Sequence, residues 1–221
     1  NGEITQFDIE NVLTQSSRPD NRGKALAANG QYFNTDRPGI VPFIIDEMYK
    51  ERVDIKQQMI TAQKELEKVD KNDKQEMYRI ERDIAIAENR QMSIKILLNS
   101  LYGAMGNCYF RFFDQRIAEA ITLTGQLTIR WAEYSLNAYL NRVLQNKEWK
   151  DYIVAIDTDS LYVCLNDLVE KVQPNNTIDF LDKVCQDALE PELEKSYADL
   201  YSMLGGVDNR MVMKREAIAD R

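Results

Sequence analysis

Apolar residues recur at alternating three- and four-residue steps through the first half of this chain. From Phe43 to Tyr102 there is neither glycine nor proline, so long helices meet no breaker there. Met48, Ile55, Met59, Ala62, Leu66 and Val69 form one row, with Arg52 standing where an apolar residue is expected. Met77, Ile80, Ile84, Ala87, Gln91, Ile94, Leu98 and Leu101 form a second. Both rows have the spacing of a coiled-coil seam. Between them, Asp70–Lys74 (DKNDK) supplies turn and cap residues. The pattern predicts two helices of about 30 residues, each about 45 Å long, folded at residues 72–74 into an antiparallel hairpin.

Elsewhere the periodicity is shorter or weaker. Asn1–Gly39 is polar and irregular apart from an apolar segment near Phe7–Leu13, and its SSRPDNRG and NTDRPG stretches read as loops leading to Pro42 at a helix start. Asn107–Arg116 mixes aromatics with arginine and is expected to pack as a strand or turn rather than stack on bases. A helix is predicted from Ile117 to Val143, with Ile121, Leu127, Trp131, Leu136 and Leu140 as its core row and no chemistry assigned to it. Period-two runs at Tyr152–Ile156 and Leu161–Leu165 predict strands joined by the tight turn Asp157–Ser160. Asp179–Leu204 is amphipathic, with Pro191 ending or kinking the helix. Gly205–Asn209 then turns the chain into an expected strand, Arg210–Ile218. The expected class is α+β: a long antiparallel helical hairpin inserted in a mixed domain that carries a β-hairpin.

Composition narrows the chemistry. At 221 residues the chain is long enough for one or two domains with a real core. There is no histidine, and Cys108, Cys164 and Cys185 lie far apart without a CxxC spacing. The usual zinc sites and any Ser-His or Cys-His nucleophile pair are thereby excluded, and a reducing interior is expected. No run of about 18 apolar residues exists to span a membrane. The formal charge of −8 argues against a broad nucleic-acid footprint on this chain. Chemistry must come from carboxylates, cations and a bound metal.

Two stretches carry such groups. In Lys95–Gly106 (KILLNSLYGAMG), Lys95, Asn99, Tyr102 and Gly106 stand at i, i+4, i+7 and i+11, on one helix face. Gly103 and Gly106 allow close approach of backbone or ligand. Folding the hairpin brings Arg52 and Lys56 to within a turn or two of Lys95, a cation cluster suited to an anion with several charged oxygens, such as a triphosphate. The plainer alternative is solvated charges with partners such as Glu51 or Asp54. The second stretch is IDTDSLYV (Ile156–Val163), which places Asp157 and Asp159 at a hairpin tip. Leu161, Tyr162 and Leu168 stand at the positions where an EF-hand needs a ligand, its glycine and its last acid. A nucleotide-sugar transferase DxD motif fits this turn locally but leaves the helical hairpin unexplained.

Read together, KxxxNSxYG followed by DTDS resembles the family B DNA polymerases, most closely the replicative polymerases of tailed phages. The resemblance covers nearly the whole chain. It implies residues 1–41 as the link from palm to fingers, 42–106 as the fingers hairpin and 107–221 as a palm portion with the catalytic β-hairpin. KERVDIK (Lys50–Lys56) matches the fingers segment whose Arg and Lys hold the incoming nucleotide's phosphates, which assigns that role to Arg52 and Lys56 together with Lys95. Asn99, Tyr102 and Gly103 would then line the pocket for the nucleotide and template base. Asp159 becomes the ligand bridging two Mg2+ ions, with Mn2+ as the substitute, and Asp157 the secondary acid. Relatives tend to carry an acid where Lys214 stands; Glu216 keeps the second acid and is a candidate supporting carboxylate.

Primer-template DNA and deoxynucleoside triphosphates are the implied ligands, in the cytoplasm of an infected bacterial host. A sliding clamp would be reached through regions outside this chain. The family's upstream DxxSLYPS motif has no match in Asn1–Pro42, and the exonuclease acids, the KxY element and the thumb are also missing. The chain is therefore expected to be a piece of a longer polymerase, or one subunit of a split one, and inactive alone. A DxD nucleotide-sugar transferase and a non-catalytic helical interaction module are the alternatives.

Overall fold

The computed structural model describes residues 12, 20, 22–70 and 72–219. Apart from Val12, the apolar segment expected near Phe7–Leu13 lies outside the described residues. The chain divides into two compact units, Asp36–Ala118, and Asn1–Thr35 with Glu119–Arg221.

The first unit is built on helices α1 (Ile40–Leu66) and α2 (Lys74–Met105). The Asp73 side chain caps α2 by accepting the Glu76 N–H at 3.0 Å, and Asp70 holds the Asn72 N–H at 3.0 Å. The polar DKNDK stretch thus satisfies its own backbone while the chain reverses. Ile55, Ile80 and Ile94 are buried and the remaining apolar residues of both rows are half-buried, so the two seams face inward as their spacing predicts. The reversal comes earlier than expected. α1 stops at Leu66 and the connection uses residues 67–73, which slides α2 back along α1 by about a turn.

The second unit packs around α3 (Gln115–Leu144) and α6 (Glu190–Leu204). Leu127, Trp131, Leu136 and Leu140 of α3 are buried as their spacing predicts, but Ile121 is 46% exposed; the buried row passes through Ala120 instead. Leu193, Tyr197, Leu200 and Leu204 of α6 complete two apolar clusters with them. Two polar contacts register the helices: Trp131 Nε1 donates to the Ser196 carbonyl at 2.9 Å, and the Ser135 and Ser196 hydroxyls meet at 2.5 Å.

Two expectations are corrected in this unit and a third, on Pro191, is narrowed. Within the stretch expected to be irregular, β1 (Ala25–Leu26) and β2 (Tyr32–Phe33) pair antiparallel. Pro191 does not end the helical run: α5 (Thr177–Val184), a π-turn at Cys185–Leu189 and α6 follow one another without a break, and the π-turn falls just before the proline, where such a local widening accommodates its missing N–H. Residues 210–219 form no strand, and among the described residues no segment pairs with them in a ladder. They are held by side chains instead, Arg215 pairing with Asp182 at 2.5 Å while its N–H donates to Glu190 at 3.1 Å. The turn before them has the expected glycines for a steric reason. Gly205 closes α6 at φ 68°, and a Cβ on Gly206 would lie 2.4 Å from the Tyr201 ring.

Strands β3 (Ile153–Asp157) and β4 (Ser160–Val163) form a second antiparallel pair, with Asp157 opposite Ser160 and a bulge between Ile153 and Ala155. α4 (Asn166–Val172) follows. The α+β class is thus met by a helix-rich chain with two small antiparallel sheets among the described residues.

Candidate functional site

The hairpin's two flanks differ in charge. Glu51 and Arg90, each immediately before a seam position, form an ion pair at 2.5 Å and set the level of one helix against the other. In an antiparallel coiled coil, residues just before the seam face each other on one flank and residues just after it on the opposite flank. Lys56, Lys95 and Tyr102 all follow a seam residue, as does Tyr49. Lys56, Lys95 and Asn99 are exposed, and Tyr102 is 46% exposed. A shallow cleft of about 600 Å3 lies instead on the other flank, between Glu51, Asp54 and Arg90, away from these groups.

Arg52 is half-buried within the seam, and its Nε is buried without a hydrogen-bond partner. Gln91, the polar residue of the other row, is likewise half-buried. Glu51 is engaged by Arg90, and Lys50 by Asp46 and Glu47. Among the described residues, neither Lys56 nor Lys95 has an ion-pair partner, and neither Glu51 nor Asp54 neutralises Arg52. With Glu51 level with Arg90, Arg52 lies about 9 Å along the hairpin axis from the level of Lys95, within two turns. Lys56 lies about 15 Å away along the axis, farther than a turn or two, because of the early reversal. Glu88 stands between the two lysines on the same flank, an acid that the cation count from sequence leaves out.

α2 ends at Met105 with Gly106 as its cap. A Cβ on Gly103 would meet nothing within 4 Å, so the surface beside Asn99 and Tyr102 is open to a flat ligand. The following loop corrects the expectation of a packed turn. Tyr109 is 94% exposed, Phe112 54% and Phe113 40%. Such a row of rings beside Arg111 can stack on bases, and its density of aromatics was the available signal.

In the second unit, Thr158 and Asp159 are the two turn residues between β3 and β4, one fewer on each side than the four-residue turn expected. Asp157 and Asp159 are exposed, and the Thr158 hydroxyl donates to Asp157 at 3.2 Å. Thr158 has φ 48°, a conformation in which a β-branched residue is strained by roughly 1–3 kcal/mol. Thr158→Gly should therefore raise the stability of this unit by about 1 kcal/mol, net of the entropy glycine adds to the unfolded chain. Thermal denaturation checks this, and a lowered midpoint contradicts it.

Two exposed carboxylates on a short turn are hard oxygen donors that suit Mg2+ or Mn2+. No group of three or more acids, cysteines or histidines poised for a metal occurs among the described residues, so Asp157 and Asp159 fit part of a metal's coordination only. Glu216 and Lys214 are exposed, and Glu216 borders a shallow depression with Asp179 and Asp182. The three cysteines are free, and burial pushes the Cys185 thiol up, which leaves it a poor nucleophile. No helix among the described residues is long and apolar enough to cross a membrane.

Residues 10–200 match the model of the family described as DNA polymerase family B. The chain is 30% identical over 236 positions to the DNA-directed DNA polymerase of Escherichia phage RB69, covering 88% of this chain and 26% of that protein. It is 39% identical over 145 positions to the corresponding enzyme of Enterobacteria phage T4, covering 63% of this chain and 16% of that protein. DNA polymerase 1 of Pyrococcus abyssi is 28% identical over 174 positions, 76% of this chain and 19% of that protein. The chain thus spans about a quarter or less of the length of these curated relatives.

Proposed function

Because this chain belongs to DNA polymerase family B, we propose that it supplies the fingers and the adjoining palm portion of a viral DNA-directed DNA polymerase. The reaction is attack of a primer 3′-hydroxyl on the α-phosphate of a template-matched deoxynucleoside triphosphate, with pyrophosphate leaving. Arg52 carries this reading: a guanidinium inside a helix seam, its Nε unsatisfied, with Lys56 and Lys95 on the adjoining flank. A buried donor without a partner is costly in the free protein and is repaid when a charged oxygen reaches it. Lys95 and Lys56 hold the phosphate chain, while Asn99, Tyr102 and Gly103 shape the pocket for the base. The fingers helices rotate toward the palm when nucleotide binds.

Asp159 and Asp157 would hold Mg2+, whose chemistry when bound would be to acidify the attacking hydroxyl and offset charge on the leaving pyrophosphate. Glu216 is a supporting carboxylate at most. The remaining metal ligand, the exonuclease, the thumb and the surface for a sliding clamp come from the rest of the polymerase, in cis or as a partner chain. The net charge of −8 fits a chain that leaves most of the duplex-holding surface to those parts. The setting is the cytoplasm of an infected bacterium, and the chain alone supports negligible synthesis.

Nucleotide binding tests this reading on the chain itself. A fluorescent deoxynucleoside triphosphate with Mg2+ should bind, and Lys95→Ala should weaken it by about tenfold, the worth of one charge-assisted contact. Preference for a nucleotide sugar would favour a transferase. Binding indifferent to both Lys95→Ala and Lys56→Ala would leave the helical hairpin as an interaction module.

A further inference from the structure

The β3–β4 pair is a two-stranded sheet, and such a hairpin is marginal by itself in water. On β3 the buried anchorage is confined to one end, while Leu161 and Val163 of β4 pack half-buried against the same core. Tyr152 and Ile153 are 2% and 8% exposed, whereas residues 154–157 are all exposed. The tip bearing Asp157 therefore stands about 16 Å along the strand from Tyr152. Whatever holds the entry of β3 therefore helps to set where the two acids are.

Two asparagines one turn apart on α3 do this. Asn137, 4% exposed, accepts the Tyr152 N–H at 2.7 Å and donates from Nδ2 to Asp151 at 2.8 Å. Asp151 in turn accepts the Ile153 N–H at 2.9 Å. Asn141 takes both backbone groups of Lys150, accepting its N–H at 2.9 Å and donating to its carbonyl at 2.7 Å. The N–H groups entering β3 are thus taken by helix side chains and by Asp151, while the Tyr152 carbonyl accepts the Cys164 N–H at 2.8 Å from the segment after β4. A buried amide with both ends used tolerates no sliding, and a one-residue slip would turn Asp157 to the other face.

We infer that Asn137, seconded by Asn141, is a positioning residue that sets the register of β3 and thereby holds the Asp157–Asp159 turn. The last step rests on the reading of those acids as metal ligands. An aspartate cannot replace Asn137, because it would face Asp151 without a donor.

The test compares the full chain with Asn137→Ala, with the half-buried and milder Asn141→Ala, and with Leu140→Ala as a packing control on the same helix. Hydrogen exchange is expected to show that each asparagine variant deprotects Tyr152–Val163 by about tenfold or more while the α6 amides keep their protection. Leu140→Ala should deprotect α3 and α6 as well. Uniform loss in Asn141→Ala, or unchanged exchange of β3 in both asparagine variants, overturns the proposal. Mn2+ titrations followed by electron paramagnetic resonance then read the tip. Asn141→Ala should weaken the Asp159-dependent binding by about tenfold, and unchanged affinity with β3 deprotected overturns the positioning role. If wild-type chain shows no Mn2+ binding that Asp159→Asn removes, the metal reading fails, while the exchange result still decides whether the clamp sets β3.

Discussion

Arg52→Leu should make the helical hairpin more stable and at the same time make it a poorer nucleotide binder. The guanidinium sits where both seams are otherwise apolar apart from Gln91, and its Nε is buried with no hydrogen bond. An orphaned donor of this kind costs about 1–3 kcal/mol. Replacing a buried charge by a packed apolar side chain is commonly neutral or stabilising by about 1–4 kcal/mol. Because Arg52 is only half-buried, the expected gain is about 1 kcal/mol, visible as a higher urea midpoint for helix loss. The same change removes a charge-assisted contact to phosphate, and affinity for a deoxynucleoside triphosphate should fall about tenfold to a hundredfold. Opposite signs of the two effects are the signature of a residue retained for binding at the expense of stability. A variant that is destabilised, or one that binds nucleotide as well as wild type, would show that Arg52 belongs to the hairpin's packing and nothing more.

Asp159→Asn is expected to leave the fold intact and to abolish nucleotide incorporation in any polymerase assembled with this chain. Asp159 is exposed at the β3–β4 turn, so its replacement should shift stability by no more than about 0.5 kcal/mol. An asparagine keeps the shape and one oxygen but removes the negative charge that a divalent ion requires. Losing even a single electrostatic contact to a reacting group costs about 100- to 1,000-fold in turnover; losing the charge proposed to hold the metal should cost at least the upper figure. Asp157→Asn, at the position assigned a secondary role, should lose less. Primer extension with the rest of the polymerase supplied, together with a thermal denaturation curve, separates catalysis from folding. Turnover within tenfold of wild type in folded Asp159→Asn would refute its place in the metal site.

The seams of α1 and α2 were legible in the sequence because helical periodicity is local. Residues three and four apart share a face whatever the rest of the chain does. The same holds for the Asp73 cap, for the glycines after α6 and for the period-two runs around DTDS, whose order with KxxxNSxYG also carried the family. These are properties of a few neighbouring residues, and no long-range contact is needed to read them.

What lay beyond the sequence depended on partners distant in the chain. Residues 210–219 have the alternation of a strand, but a strand needs a neighbour to pair with, and here Arg215 is tied to Asp182 and Glu190 instead. Ile121 is apolar and exposed because the packing of α3 selects Ala120. The level of α1 against α2, and hence the distance from Lys56 to Lys95, follows from where the connection begins and could shift by a turn without altering either seam. Asn137 is a polar residue beside an apolar stripe, unremarkable by spacing, and only the folded chain puts the backbone of Tyr152 against it. The sequence by itself determined the long helices, the β3–β4 hairpin and the identity of the chemical groups, since those rest on local spacing. The tertiary structure decided which groups are paired, which are left unsatisfied and what holds the acid-bearing turn, since those depend on contacts between residues far apart in the chain.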